Sequence, residues 1–263
     1  MTFQVLISTM NQVDFMLLDK MNIQSDAIVI NQCDKDNIEE FEYKGYQIKW
    51  VNMSNRGIGI SRNTALFYAT ADIVLFADDD VMYFDGYAEE ISSVFINNLD
   101  ADVVCFNINL VNSIKNFGYR NNKKCRRLNL FNSMRYGACR IAARRKTLLK
   151  NRISFSLLFG GGAEFSSGED SLFIRDCYKN NMKLYANTYT LGQVDDAHSS
   201  WFKGIEDKFF IDRGVLLYSA FPYLHHVLFL YYAYRMRRMD NKYSFTKILK
   251  LFKQGRKIIK QYR

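Results

Sequence analysis

The sequence has a single proline, no CxxC pair and no complete GxGxxG run. One proline in a chain that is 48% hydrophobic and 15% aromatic excludes a disordered or low-complexity polypeptide. Its five cysteines, Cys33, Cys105, Cys125, Cys139 and Cys177, are odd in number and irregularly spaced. Free buried thiols in a reducing compartment are therefore expected, not disulfides or a zinc site. The N-terminal MTFQVLIST lacks the basic flank and long apolar run of a signal peptide. The expectation is a cytoplasmic protein, peripheral at the cytosolic face of the plasma membrane. Acids are missing altogether between Asp102 and Glu164, a span with thirteen Lys and Arg. The net charge of +9 comes from elsewhere, because Arg235 to Arg263 holds eleven Lys and Arg against one acid, Asp240.

What is present is the rhythm of an α/β protein. Phe3–Ile7, Ala27–Asn31 and Gln47–Val51 are apolar, β-branched runs about 20 residues apart with amphipathic segments between them. After the third run, Gly57 and Gly59 precede Ser61-Arg62-Asn63, which opens a helix. Its free N–H groups and arginine suit a phosphate or a base, although a plain glycine turn has the same composition. The chain is organised around ADIVLFADDDVMYFD, residues 71–85. Ile73–Ala77 reads as a buried strand ending in Asp78, Asp79 and Asp80. Three adjacent carboxylates repel one another unless a cation sits among them, and the carboxyl end of such a strand is where open α/β sheets bind ligands. Taken alone, the same run is an ordinary turn or helix cap, and Asp85 has the position of a cap for the next helix. Further strands are expected over Asp102–Leu110, Ala138–Ala143 and Leu184–Leu191.

A second acidic stretch is LLFGGGAEFSSGEDSLFIRDCY, residues 157–178. Glu169 and Asp170 open an amphipathic helix whose N-terminus stabilises them as anions, and a carboxylate fixed beside Gly160–Gly162 also has the position of a general base. Asp195-Asp196-Ala197-His198-Ser199-Ser200-Trp201 forms a polar loop, where a lone histidine is structural or a metal or phosphate ligand.

Together FADDDV, the preceding NRGIGISRNTALFYATADIVLF and the later GGGAEFSSGEDSLFIRDC resemble the bacterial family 2 glycosyltransferases over roughly residues 2–215. The resemblance implies a GT-A fold, a Rossmann-like three-layer α/β/α domain with a mostly parallel central sheet, over residues 1–214. It implies inverting transfer from a nucleoside-diphosphate sugar, with a UDP-sugar favoured, and Mg²⁺ or Mn²⁺ as cofactor. Ser8, Thr9, Asn31, Asp34 and Arg62 would line the donor site, with Arg62 on the uracil or ribose side. Asp78 would face the ribose and Asp80 the metal, with Asp79 an alternative for either. Asp170 would be the base. Glu169, Gly161, Gly162 and Trp201 would meet the acceptor, and Asp78 and His198 would join Asp80 as metal ligands. Where many members carry an acidic pair after the second strand, this chain has Asn31-Gln32-Cys33-Asp34. The acceptor would be a glycan or lipid-linked glycan of the cell surface.

Residues 215–263 are expected to form a helical, aromatic and basic extension. Val215–Tyr234 is long enough to span a bilayer, but Pro222, His225, His226 and its tyrosines favour a packed or interfacial helix pair. Phe245, Ile248, Phe252, Ile259 and Tyr262 share one face of the last helix, which suits an anionic membrane surface. A sugar-nucleotide pyrophosphorylase is the competing enzyme, but Ser8–Phe15 contains none of the glycine its first loop requires. A nucleic-acid-binding module would account for the basic tail and leave both acidic stretches unexplained, so no nucleic-acid partner is expected.

Overall fold

In the computed structural model, which describes residues 1–111, 120–195, 206–239 and 242–262, the apolar runs become neighbouring strands of one sheet. β1 (Phe3–Met10) and β2 (Asp26–Gln32) are parallel, and the edge hairpin of β3 (Asn37–Tyr43) and β4 (Tyr46–Met53) follows, with β4 parallel to β2. On its other side β1 pairs in parallel with β5 (Ile73–Asp78), which runs into the short β6 (Val81–Tyr83). β7 (Val103–Val111), the two-residue β8 (Arg126–Arg127), β9 (Ile141–Arg144) and β10 (Leu184–Asp195) complete the sheet. β9 enters antiparallel between β5 and β7, while β10 is parallel to β7. Thus β4, β2, β1, β5, β7 and β10 point one way, and the sheet, ten-stranded among the described residues, is mostly parallel.

Alternation along each strand buries both faces. Val5, Ile7, Leu75 and Ala77 pack with α1 (Leu17–Lys20) on one side, together with Ile91 and Phe95 of α3 (Tyr87–Asn97). Leu6, Val74 and Phe76 pack on the other with Leu66 of α2 (Ile58–Tyr68) and with Phe173 and Cys177 of α6 (Glu169–Lys179). The short α4 (Leu130–Ser133) and α5 (Arg145–Lys150) lie between these in the chain. Helix on sheet on helix is the expected three-layer domain. All five cysteines are free thiols.

Several local expectations change. β3 is a strand that the apolar pattern omits, because its residues are mostly exposed at the sheet edge. The turn joining it to β4 uses Lys44 and Gly45 at φ 50° and 86°, a pair suited to a two-residue hairpin. Asp85 is not the cap of α3: Gly86 is, at φ 76°, and the Asp85 carboxylate accepts hydrogen bonds from Asn22 and Gln24. Ala138–Arg140 forms a 3-10 turn, so the strand expected there begins only at Ile141.

The chain divides into two compact units, Met1–Leu157 with Glu169–Ser199, and Leu158–Gly168 with Ser200–Arg263. The second contains α7 (Asp207–Ala220), α8 (His225–Met239) and α9 (Phe245–Ile259). Position 214/215, expected as the start of the extension, falls inside α7. The reason is close helix packing: a Cβ on Gly255 of α9 would lie 2.1 Å from the Ile211 carbonyl of α7, and one on Gly214 would lie 2.5 Å from that of Phe252. Val215–Tyr234 is broken near Pro222 into parts of α7 and α8, and no helix among the described residues is long and apolar enough to cross a membrane. Ile248, Phe252 and Ile259, expected to face a membrane, are buried in this packing instead.

Candidate active site

The parallel register places Ser8 beside Asp78 and Thr9 beside Asn31, so the carboxyl ends of β1, β2 and β5 form one surface. Helix α2 starts after Gly57, whose φ of 124° strains any residue with a Cβ. Its second residue, Gly59, lies so close to the chain that a Cβ would be 2.4 Å from the Ser156 carbonyl oxygen. Two turns of backbone are thereby pinned, and Asn63 adds reciprocal hydrogen bonds to the backbone of Phe155 at 2.9 and 2.8 Å. Between these anchors Ser61 donates to Ser8 at 2.8 Å, and Arg62 points into the sheet end.

Arg62 is the hub of the site. Its side chain is 3% exposed, and Nη2 lies 2.8 Å from Asp78 Oδ1. Nη1 lies 2.7 Å from Asp170 Oδ1 and 3.1 Å from Glu169 Oε1. One guanidinium thus joins the strand-end acid to both acids at the start of α6. Phe155 lies under the guanidinium, 5.2 Å from ring centroid to Cζ, and stacks on Phe173 of α6. Burial works against the charge of Arg62, but Asp78, Asp170 and Glu169 more than offset that and hold it protonated. Nε is buried without a hydrogen-bond partner among the described residues.

The three aspartates have different surroundings. Asp79 accepts the Thr9 hydroxyl at 2.6 Å, and Gln12 in turn donates to Thr9 at 2.8 Å. Asp78 is half-buried against Arg62, whereas Asp80 is exposed in the turn before β6. Asp170 is pushed up to about 8, by burial first and then by Glu169, with Arg62 opposing and Asp78 adding to the rise. A carboxyl shifted in this way by its surroundings can exchange a proton near neutral pH.

Of the residues singled out in the sequence, the structure brings together Ser8, Thr9, Asn31, Arg62, Asp78, Asp79, Glu169 and Asp170. Asn31 is buried, donating to Asn52 and to the Gln12 carbonyl and accepting from the Gln12 N–H. Asp34 stands apart: it is 98% exposed and paired with Arg56 at 2.7 Å. Gly161 and Gly162 belong to the second unit, where Gly162 has φ 78°. His198 and Trp201 lie outside the described residues. Gln12 and Ser61 were not anticipated; Gln12 lies three residues after Thr9, just beyond the strand end, and that proximity is its only signal in the sequence.

The family model of glycosyl transferase family 2 matches residues 17–153, just over half of the 263-residue chain. The chain belongs to this family. The family match takes in Asp78, Asp79, Asp80 and Arg62 and ends before Glu169. Among solved structures, S. aureus TarS 1-349 in complex with UDP-GlcNAc aligns with a TM-score of 0.60 at 19% identity, covering 82% of this chain and 66% of that one. The same fragment in complex with UDP gives 0.57 at 19% identity, over 83% and 66%. S. aureus TarS, in a longer chain, gives 0.58 at 20% identity, over 82% and 39%. The likeness establishes a shared fold, GT-A as expected, and this family 2 chain spans less than two thirds of the length of those relatives. No protein with a curated description matches its sequence.

Proposed function

We propose that this chain is an inverting glycosyltransferase that moves a sugar from a UDP-sugar to a hydroxyl of a glycan or lipid-linked glycan in cell-surface polysaccharide synthesis. The observation that carries the reading is the junction at Arg62, where a strand-end aspartate and a helix-start Glu-Asp pair meet at the carboxyl end of a parallel sheet. TarS supports the choice of nucleotide, since its structures hold UDP-GlcNAc and UDP.

Asp170 serves as the base. It takes the proton of the acceptor hydroxyl as that oxygen bonds to the anomeric carbon and the diphosphate departs from the opposite face with the bonding pair. One base and no enzyme nucleophile give inversion. Glu169 orients the acceptor and keeps Asp170 proton-hungry by like-charge repulsion. Arg62 holds the base and Asp78 in one frame, while Ser8, Thr9 and Asn31 form the polar wall for the nucleotide.

The carboxylate oxygens of the aspartate run suit a hard divalent cation such as Mg²⁺ or Mn²⁺. Among the described residues no three metal-binding side chains form a ready cage. Mg²⁺ does not demand one, since one or two carboxylates plus substrate phosphates commonly hold it. Asp78 and Asp80 would hold the ion, and it would neutralise the leaving diphosphate. Thr9 already engages Asp79, which supports the outer pair as the ligands.

The test is to incubate the protein with a panel of UDP-sugars and Mn²⁺ and follow UDP release, alone and with oligosaccharide acceptors. Release that requires Asp170 supports the reading. Absence of both thermal stabilisation and UDP release with every donor overturns it.

A further inference from the structure

Of the α9 stripe expected at a membrane, Ile248, Phe252 and Ile259 are already covered and Tyr262 is exposed; the other exposed large apolar side chains of the second unit, among the described residues, lie on α8 and in the turn before it. Tyr223 and Leu224 in the turn before it, and Val227, Leu230, Tyr231 and Tyr234 along it, are all exposed. His225, Phe229 and Ala233 are buried, and Phe229 packs against Phe252 of α9 with ring centroids 5.3 Å apart. Steps of three and four residues put the exposed set on one side of the helix, opposite Phe229.

The surroundings of this face are cationic. Arg235, Arg237 and Arg238 are exposed at its carboxyl end, and Lys250, Lys253 and Lys257 are exposed on α9, with Lys260 just after it. From Tyr223 to the end of the sequence the one acid is Asp240. On α7, half-buried Arg213 has no carboxylate partner among the described residues; burial disfavours its charge, and Arg235 adds like-charge repulsion. An anion near these arginines relieves both effects. Among the described residues, a second copy of the same face offers no acid to receive them.

We propose that the outer face of α8 is a membrane-surface contact, seating its tyrosines and leucines among the headgroups of a bilayer rich in anionic lipid, with Arg235, Arg237 and Arg238 on lipid phosphates. Tyrosine and leucine beside arginine is the composition of the membrane interface. Fifteen helical residues extend roughly 22 Å, short of the ~30 Å hydrocarbon layer, so the helix lies along the surface. The inference does not depend on the catalytic reading, because its residues take no part in that site.

The experiment is sedimentation of the full chain with phosphatidylcholine vesicles, with and without about one third phosphatidylglycerol. Binding is expected only to the anionic vesicles, falling roughly fivefold for each of Arg235, Arg237 and Arg238 changed to Gln. The triple variant Leu230→Ser, Tyr231→Ser, Tyr234→Ser should abolish it with an unchanged circular dichroism spectrum. No binding by the unaltered protein, or equal binding by the serine variant, overturns the proposal. So does a serine variant that turns a dimer into a monomer, since a second copy would then be the occupant. UDP release from donor, measured without vesicles, should be the same in all of these proteins, which separates this outcome from failure of the catalytic reading.

Discussion

Arg62 Nη1 lies 2.7 Å from Asp170 Oδ1, an ion pair that ties the second turn of α2 to the first turn of α6. The same guanidinium holds Asp78, so the acid at the end of β5 and the acids at the start of α6 share one cation. The behaviour of the site under mutation and pH follows from that sharing.

Asp170→Asn keeps the shape of the side chain and removes its ability to take a proton. Transfer should fall by about 10² to 10⁴, the range of a general base, while donor affinity changes little. Calorimetric titration with the donor alongside a transfer assay checks both halves. Undiminished turnover assigns the base elsewhere.

The pH dependence follows from the raised position of Asp170, about 8. The base acts only when ionised, so kcat/KM should climb about tenfold per pH unit below that value and level off above it. Arg62 opposes the rise, and Arg62→Gln should therefore move the break to higher pH. A profile that is flat from about pH 6 to 9 in both proteins excludes Asp170 as the ionising base.

Removing Arg62 also leaves Asp78, Glu169 and Asp170 crowded without their cation. Breaking a buried ion pair by deleting one partner costs about 3–5 kcal/mol, so Arg62→Ala should shift the urea midpoint well down. Arg62→Lys retains the charge but not the fork that reaches both sides, and intermediate stability is expected. Equal midpoints for the three proteins would show that the acids do not need this partner.

The aspartate run should divide by position. Asp78→Asn and Asp80→Asn are expected to weaken Mn²⁺-dependent donor binding by roughly tenfold or more. Asp79→Asn still accepts the Thr9 hydroxyl and should bind almost normally. The opposite ranking would move the metal ligands one residue along.

In the second unit, Gly255→Ala places a methyl against the Ile211 carbonyl, with no flexible side chain to give way. A loss of about 1–3 kcal/mol is expected, seen as a lower Tm, together with weaker packing of α7 on α9. An unchanged Tm means the helices separate without cost.

The strands that carry the site were legible because each is a buried run of branched residues, and the acids at their ends stand out against that background. β3 was not, since Glu39, Glu40 and Glu42 at a sheet edge break the apolar pattern, and the turn at Lys44-Gly45 was its only strong mark. The part played by Arg62 was hidden for a different reason. A contact with Asp78, 16 residues away, and Asp170, 108 residues away, leaves no periodic trace in a single chain. α9 is amphipathic as its sequence implies, but membrane and neighbouring helix demand the same residues, and only the close approach at Gly214 and Gly255 distinguishes them.

β9 closes the sheet between β5 and β7, pairing Val74 with Ala143 and Val104 with Ala142. During synthesis β5 and β7 therefore leave the ribosome with bare edges, and they stay bare until the Ile141–Arg144 segment emerges. Nascent chains halted before that point carry two unprotected apolar strands, which favours sticking to one another and recruitment of chaperones. A truncation just short of residue 141 should be insoluble even though every strand-end acid of β5 is already in place.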